Sequence, residues 1–205
     1  MSHHQRAKRN RHGLRNLVLV LGALALLDGN RRWNQRFVST ELGAAQIKDR
    51  AGAPRNGRRI VVQSVLDATP DKVWARVKQT SAWAEVSHPL LGFVTRDGRD
   101  LPEEWRPGEK VALRLLGLGA IPLGDHDIAV ARIDDKTREL ESHESGQMAA
   151  VWNHLIHVKP YGDGQALYTD EVDLVAGPLN PLVGQLAYLY FRYRQTRWQA
   201  LARTL

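Results

Sequence analysis

The chain has no cysteine in its 205 residues. That excludes a disulfide framework, thiolate zinc and iron–sulfur sites, and a cysteine nucleophile. No glycine-rich phosphate loop and no Gly-x-Ser-x-Gly elbow occurs, which argues against nucleotide-dependent and serine-nucleophile chemistry. Metal chemistry is also poorly supplied. His126, His154, His157 and the acids show no His-x-x-x-His spacing, and His154 and His157 would point to opposite faces of a strand. We therefore expect neither a metal nor a cofactor. No apolar run is of bilayer length: Leu17 to Leu27 is unbroken but only 11 residues long. As a helix it measures about 16 Å, against a hydrocarbon core of about 30 Å.

What is present is an ordinary globular mixture, 43% hydrophobic and 25% charged. The charge is unevenly placed. Residues 1–60 carry 13 Lys/Arg against 3 Asp/Glu, whereas residues 61–205 carry 16 against 19. The net +7 thus belongs to the N-terminal segment. A basic tail on a mildly acidic domain argues against a nucleic-acid partner. Arginines flank the apolar run on both sides, so residues 6–36 read as a candidate membrane-surface segment, a packed apolar helix over 14–27, or a signal-like h-region. The first two readings place the protein at a membrane or in the cytoplasm. Residues 31–50 could form a second, weakly amphipathic helix. Residues 51–59 (AGAPRNGRR) have linker composition, which puts the domain boundary there: an extension over 1–59, then one domain over 60–205.

Within that domain, Ile60–Ala68 is β-rich. Thr69-Pro70 opens a helix, with Val73, Trp74 and Val77 at helical spacing. A second short helix covers 81–86. Strand-like runs follow at 90–96, 110–118, 122–133, 138–145, 150–159 and 165–175, separated by Asp/Gly/Pro turns. Pro178 and Pro181 open a long helix to about Arg203. The order predicts an α+β fold with the last helix on one face of a curved antiparallel sheet.

Alternation divides each strand into two faces. Ala150, Trp152, His154, Ile156 and Val158 share one, and Ala166, Tyr168, Asp170, Val172 and Leu174 share another. An apolar face that holds His154 or Asp170 must give these groups partners. On the last helix, Leu179, Leu182, Val183, Leu186, Leu189, Tyr190, Tyr193 and Leu201 form the expected apolar stripe, with Arg197 within it and Arg194 at its edge.

The strand followed by Ala68-Thr69-Pro70-Asp71-Lys72-Val73-Trp74 resembles the opening of the SRPBCC superfamily of START domains, polyketide cyclases and birch-pollen-allergen-like proteins. Pro122-Leu123-Gly124-Asp125-His126, Glu144-Ser145-Gly146, Trp152-Asn153-His154, Tyr168-Thr169-Asp170-Glu171-Val172-Asp173, Ala176-Gly177 and Arg192-Tyr193-Arg194-Gln195-Thr196-Arg197-Trp198 are similar to a bacterial subgroup. The resemblance covers about residues 60–203. It implies the helix-grip fold, a seven-stranded antiparallel sheet wrapped around the C-terminal helix, and a hydrophobic cavity between them.

That cavity would draw its polar groups from His126, Glu144, His154, Tyr168, Asp170, Arg194 and Arg197, with Trp74 and Trp152 as apolar walls. The other tryptophans read as packing. An arginine there needs a carboxylate or a ligand anion. Three functions fit. The favoured one is binding or carriage of a hydrophobic small molecule or lipid. The second is a cyclase/dehydratase-type enzyme, with His154 as base, Asp170 as its orienting group and Glu144 as a further candidate. The third is an interaction protein that docks a membrane or partner through its N-terminus.

Overall fold

A computed structural model describes residues 29–205; the apolar run and the helix expected over 14–27 lie outside these residues. The chain divides into two compact units, Met1–Phe37 and Val38–Leu205. In the first, residues 29–34 are helical. Among the described residues no helix is long and apolar enough to cross a membrane.

The second unit contains eight strands: β1 (Ser39–Lys48), β2 (Pro54–Leu66), β3 (Leu91–Thr95), β4 (Lys110–Gly117), β5 (Ile121–Asp134), β6 (Glu139–Gly146), β7 (Val151–Tyr161) and β8 (Gln165–Val175). Three helices join them: α1 (Pro70–Val77), α2 (Thr80–Ser87) and α3 (Asn180–Ala202). All neighbouring strands are antiparallel, in the order β1-β2-β8-β7-β6-β5-β4-β3. The curved sheet grips α3, and the expected α+β class holds.

The N-terminal part of this unit departs from the sequence reading. The helix suggested over 31–50 gives way to β1 from Ser39 onward. The linker expected over 51–59 is instead a tight turn and the first half of β2. Asp49 makes the turn: its carboxylate accepts from the backbone N–H groups of Ala51 and Ala53 and from Arg55 Nε. These local bonds offset its lack of apolar residues. Gly57 is required where the hairpin closes, because a Cβ there would lie 2.5 Å from the Leu174 carbonyl oxygen.

Elsewhere the boundaries follow local chemistry. Pro70 starts α1 at a position whose N–H is dispensable, and Val73, Trp74 and Val77 turn inward. Asp134 accepts from the N–H groups of Lys136 and Thr137 and turns β5 into β6. Irregularities at Leu115/Leu116 and Val130/Arg132 break the register of β5 with its neighbours. Such bulges add the bend a sheet needs to wrap a helix.

The dry core lies toward one end of the grip. Leu66, Val158, Ala166 and Tyr168 from the sheet meet Trp74, Val77 and Val86 from α1 and α2, and Trp198 and Ala202 from α3. The helix uses only part of the expected stripe, with Val183 buried, Tyr190 on the cavity and Leu201 against the core. It buries Val183, Gly184, Ala187, Phe191, Arg194, Gln195 and Trp198, and leaves Leu179, Leu182, Leu186 and Leu189 largely exposed. Gly184 marks the close approach: a Cβ there would sit 3.0 Å from Arg58 Cγ.

Candidate functional site

The alternation read from sequence is present in the sheet. Opposite one another on the inner face stand Ser142 and His154, Glu144 and Trp152, Ile156 and Asp170, and Val158 and Tyr168. Two histidine–carboxylate pairs result, each formed diagonally between neighbouring strands. His126 on β5 is in register with Gly146, and its Nε2 lies 2.7 Å from Glu144 Oε2 on β6. His154 on β7 is in register with Val172, and its Nε2 lies 2.8 Å from Asp170 Oδ1 on β8. Gly146 is needed for the first pair, because a Cβ would come within 3.0 Å of His126 Nδ1 and 2.4 Å of the Asp125 carbonyl oxygen.

α3 completes the cluster from the other side. Gln195 Nε2 donates to Asp170 Oδ2 at 3.1 Å and to the Val62 carbonyl. Arg194 donates from Nη2 to the Tyr168 hydroxyl at 3.3 Å, and its Nη1 stands 3.8 Å from Asp170 Oδ1. Tyr168 in turn donates to Asp170 Oδ1 at 3.2 Å. The guanidinium also lies 5.6 Å from the Phe191 ring, within cation–π range. Asp170 is fully buried and still finds four nearby donors.

These contacts set the protonation states. Burial pushes the Asp170 carboxyl up, but the Arg194 charge and the His154 and Gln195 bonds outweigh it and hold the group below the usual carboxylate range. Burial likewise opposes the Glu144 carboxylate, and its bonds with His126 and Ser142 again win, leaving it lowered. The Tyr168 phenol moves well above its ordinary value, chiefly through burial. The Arg194 guanidinium is raised: burial works against the charge, and Tyr168 and Asp170 overcome it. The site therefore holds two ionised carboxylates, one guanidinium and a neutral phenol at neutral pH.

Beside this cluster a cavity of about 370 Å³ opens between the sheet and the first half of α3. His126, Glu144, His154 and Arg194 form its polar end. Trp152, Leu115, Leu123, Phe93, Tyr190 and Phe191 contribute apolar walls. Phe191 is the pivot of the aromatic lining, with ring centroids 5.0 Å from His154, 5.2 Å from Tyr190 and 6.1 Å from Trp152.

Seven of the nine residues expected at the site are thus brought together. His126, Glu144, Trp152, His154 and Arg194 face the cavity, while Tyr168 and Asp170 stand behind them as supports. Two are elsewhere. Trp74 is in the dry core, with its indole N–H on Asp135 Oδ1 at 2.7 Å. Arg197 borders a separate surface hollow with Glu85 and Thr204. Sequence reasoning missed Trp83, which lines the cavity stacked on Phe93 at 3.6 Å, and it missed Tyr190, Phe191 and Met148 as lining and Gln195 as a support. The spacing Phe191, Arg194, Gln195, Trp198 is a helical face in its own right.

With Nε2 of each histidine committed to a carboxylate, Nδ1 is the ring nitrogen left for other partners. An imidazole held by a carboxylate beside an apolar cavity can orient a polar ligand group or exchange a proton with it. Among the described residues no group of three or more acidic or histidine side chains is placed to hold a metal ion.

Comparisons with known proteins agree on the fold. A START superfamily protein from Mycobacterium smegmatis superposes with a TM-score of 0.53 at 14% identity, covering 71% of this chain and 97% of its own. The Zhui aromatase/cyclase from Streptomyces sp. R1128 gives 0.52 at 13% identity, covering 71% and 93%. The major latex-like protein 151 of Panax ginseng gives 0.50 at 11% identity, covering 70% and 96%. The fold is therefore that of the SRPBCC/START-like proteins. No curated protein matches the sequence. One family model does, over residues 64–203, a stretch that begins in β2 and ends just past α3, so the chain belongs to the family described as a domain of unknown function, DUF8410.

Proposed function

We propose that this protein binds an apolar small molecule or lipid in the cavity between the sheet and α3. One observation carries the reading: a space of about 370 Å³ with aromatic and aliphatic walls ends on a small set of convergent polar side chains. Ligand pockets are built this way, with apolar lining for affinity and a few polar groups for orientation. Proteins of the same fold include START-superfamily and aromatase/cyclase members, which supports a ligand-holding role. Titrating the full chain with the neutral fluorophore N-phenyl-1-naphthylamine tests it. Saturable, one-to-one binding is expected. Met148→Trp, a substitution in the loop at the cavity wall, weakens it by about tenfold, through lost volume and displaced contacts. Binding that does not saturate, or that ignores Met148→Trp, sinks the reading.

A second reading, proton transfer of the cyclase/dehydratase kind, has one observation in its favour. His154 faces the cavity while Asp170 fixes its ring from behind at 2.8 Å. That arrangement suits a general base with an orienting carboxylate. It predicts that His154→Ala removes turnover of a bound carbonyl compound while N-phenyl-1-naphthylamine still binds.

A further inference from the structure

Four side chains that line the cavity, Trp83, Glu144, His154 and Arg194, also line a second, smaller void. Ser142 and Trp198 are among its other walls, and its volume is about 20 Å³. That is room for one water-sized atom. Two of its lining residues carry an N–H donor that has no hydrogen-bond partner: Nε of Arg194 and Nε1 of Trp198. Both residues are almost completely buried, the Arg194 side chain at 3% exposure and Trp198 at 1%. Neither group can accept a hydrogen bond, so each needs an acceptor brought to it.

The two carboxylates nearby already accept from other donors. Glu144 takes His126 on one oxygen and Ser142 on the other. Asp170 takes His154 and Tyr168 on Oδ1 and Gln195 on Oδ2. These bonds leave Arg194 Nε and Trp198 Nε1 without an acceptor of their own. The charge beside the void also matters. The ionised Glu144 carboxylate is itself on the wall of the void, with the ionised Asp170 behind His154. A further anion would be buried beside that carboxylate, whereas a neutral oxygen adds no charge.

We propose that this void is a socket for one uncharged acceptor oxygen of the ligand, a ketone or ester carbonyl, held by the N–H groups of Arg194 and Trp198. The inference rests on the reading that the cavity binds an apolar small molecule and adds the chemistry of one end of that molecule. The apolar body lies in the larger cavity, and the carbonyl reaches across the wall that the two spaces share.

The test uses the full chain and three naphthalenes of nearly equal size, each competing with N-phenyl-1-naphthylamine at pH 7.5. They are 2-ethylnaphthalene, 2-acetylnaphthalene and 2-naphthoate. The acetyl compound is expected to bind at least about tenfold more tightly than either of the others, as a hydrogen bond to a buried charged donor supplies. Trp198→Phe keeps the ring and removes the N–H, and should cut that preference severalfold. Equal affinity for the acetyl and ethyl compounds overturns the socket, since a resident water would then satisfy both donors. Tightest binding of naphthoate, displacement by none of the three, or an unchanged preference in Trp198→Phe overturns it as well. Absence of saturable fluorophore binding in the unmutated chain fails the cavity reading instead, which separates the two.

Discussion

The two ends of the space between α3 and the sheet are built from the same elements and end up opposite in character. At one end Trp198 and Ala202 pack on Tyr168, Val158 and Leu66, and α1 and α2 close over them. At the other, Val183, Ala187, Tyr190 and Phe191 face a cavity. The His154–Asp170–Arg194 cluster stands between, touching both the dry core and the open space. The difference teaches that the grip is made stable at one end so that it can stay hollow at the other. It also explains how an ionic cluster is tolerated in the middle. Every carboxylate oxygen there has a donor, so the usual cost of burying charge is offset by short, charge-assisted bonds.

The sharpest way to break that comparison uses one strand. Leu113 and Leu115 are two residues apart on β4 and point the same way, but Leu113 belongs to the dry core and Leu115 to the cavity wall. Leu113→Ala should cost about 3–5 kcal/mol, because the close-packed end is left with a new hole. Leu115→Ala removes the same atoms beside space that is already empty, so only the transfer part, about 2 kcal/mol, is lost. Urea unfolding of the two variants measures both. Equal losses would mean that the cavity end is packed as tightly as the core, and the distinction between the ends would go.

A middle-sized effect follows from the cluster. Asp170 and Glu144 release their protons more readily in the folded chain than in the unfolded one. Their contribution is present above the ordinary carboxylate values of about 4 and is lost as pH falls through the lower folded values. Tyr168 has the opposite sign: its folded phenol is raised, so its contribution is full below about pH 10 and is lost as pH rises further. Thermal melts across pH should therefore fall off at both extremes. Asp170→Asn should flatten the acid limb, and Tyr168→Phe the alkaline one. An acid limb unchanged in Asp170→Asn would show that the cluster does not set the stability of this region.

Much of this was legible in the sequence, and the failures have physical causes. Strand alternation placed Trp152, His154, Tyr168 and Asp170 on the inner face, because a period of two leaves only one alternative. The hairpin of β1 and β2 was hidden. Its apolar residues are few, and it is held by ladder bonds and by Asp49 rather than by a hydrophobic pattern. Trp74 was placed in the cavity because apolar wall and apolar core share a residue type, and only topology separates them.

The helix face was misread for a different reason, and that yields the smallest expected effect. Leu179, Leu182, Leu186 and Leu189 outrank Arg194 and Gln195 on any hydrophobicity count. Yet the buried face is the one with Gly184 and Ala187, which let the helix approach the sheet, and with Arg194 and Gln195, which have partners waiting there. Leu182 and Leu189 are 58% and 39% exposed, against none for Gln195. Leu182→Ser should therefore change unfolding free energy by no more than about 0.5 kcal/mol, as for other exposed sites. Gln195→Leu, which raises the apolar content of the helix, should destabilise by about 1–3 kcal/mol. It strips a donor from both Asp170 and the Val62 carbonyl inside the protein. Side by side in urea, the two substitutions invert what hydrophobicity alone would rank. A loss from Leu182→Ser as large as that from Gln195→Leu would return the leucine stripe to the buried side of the helix.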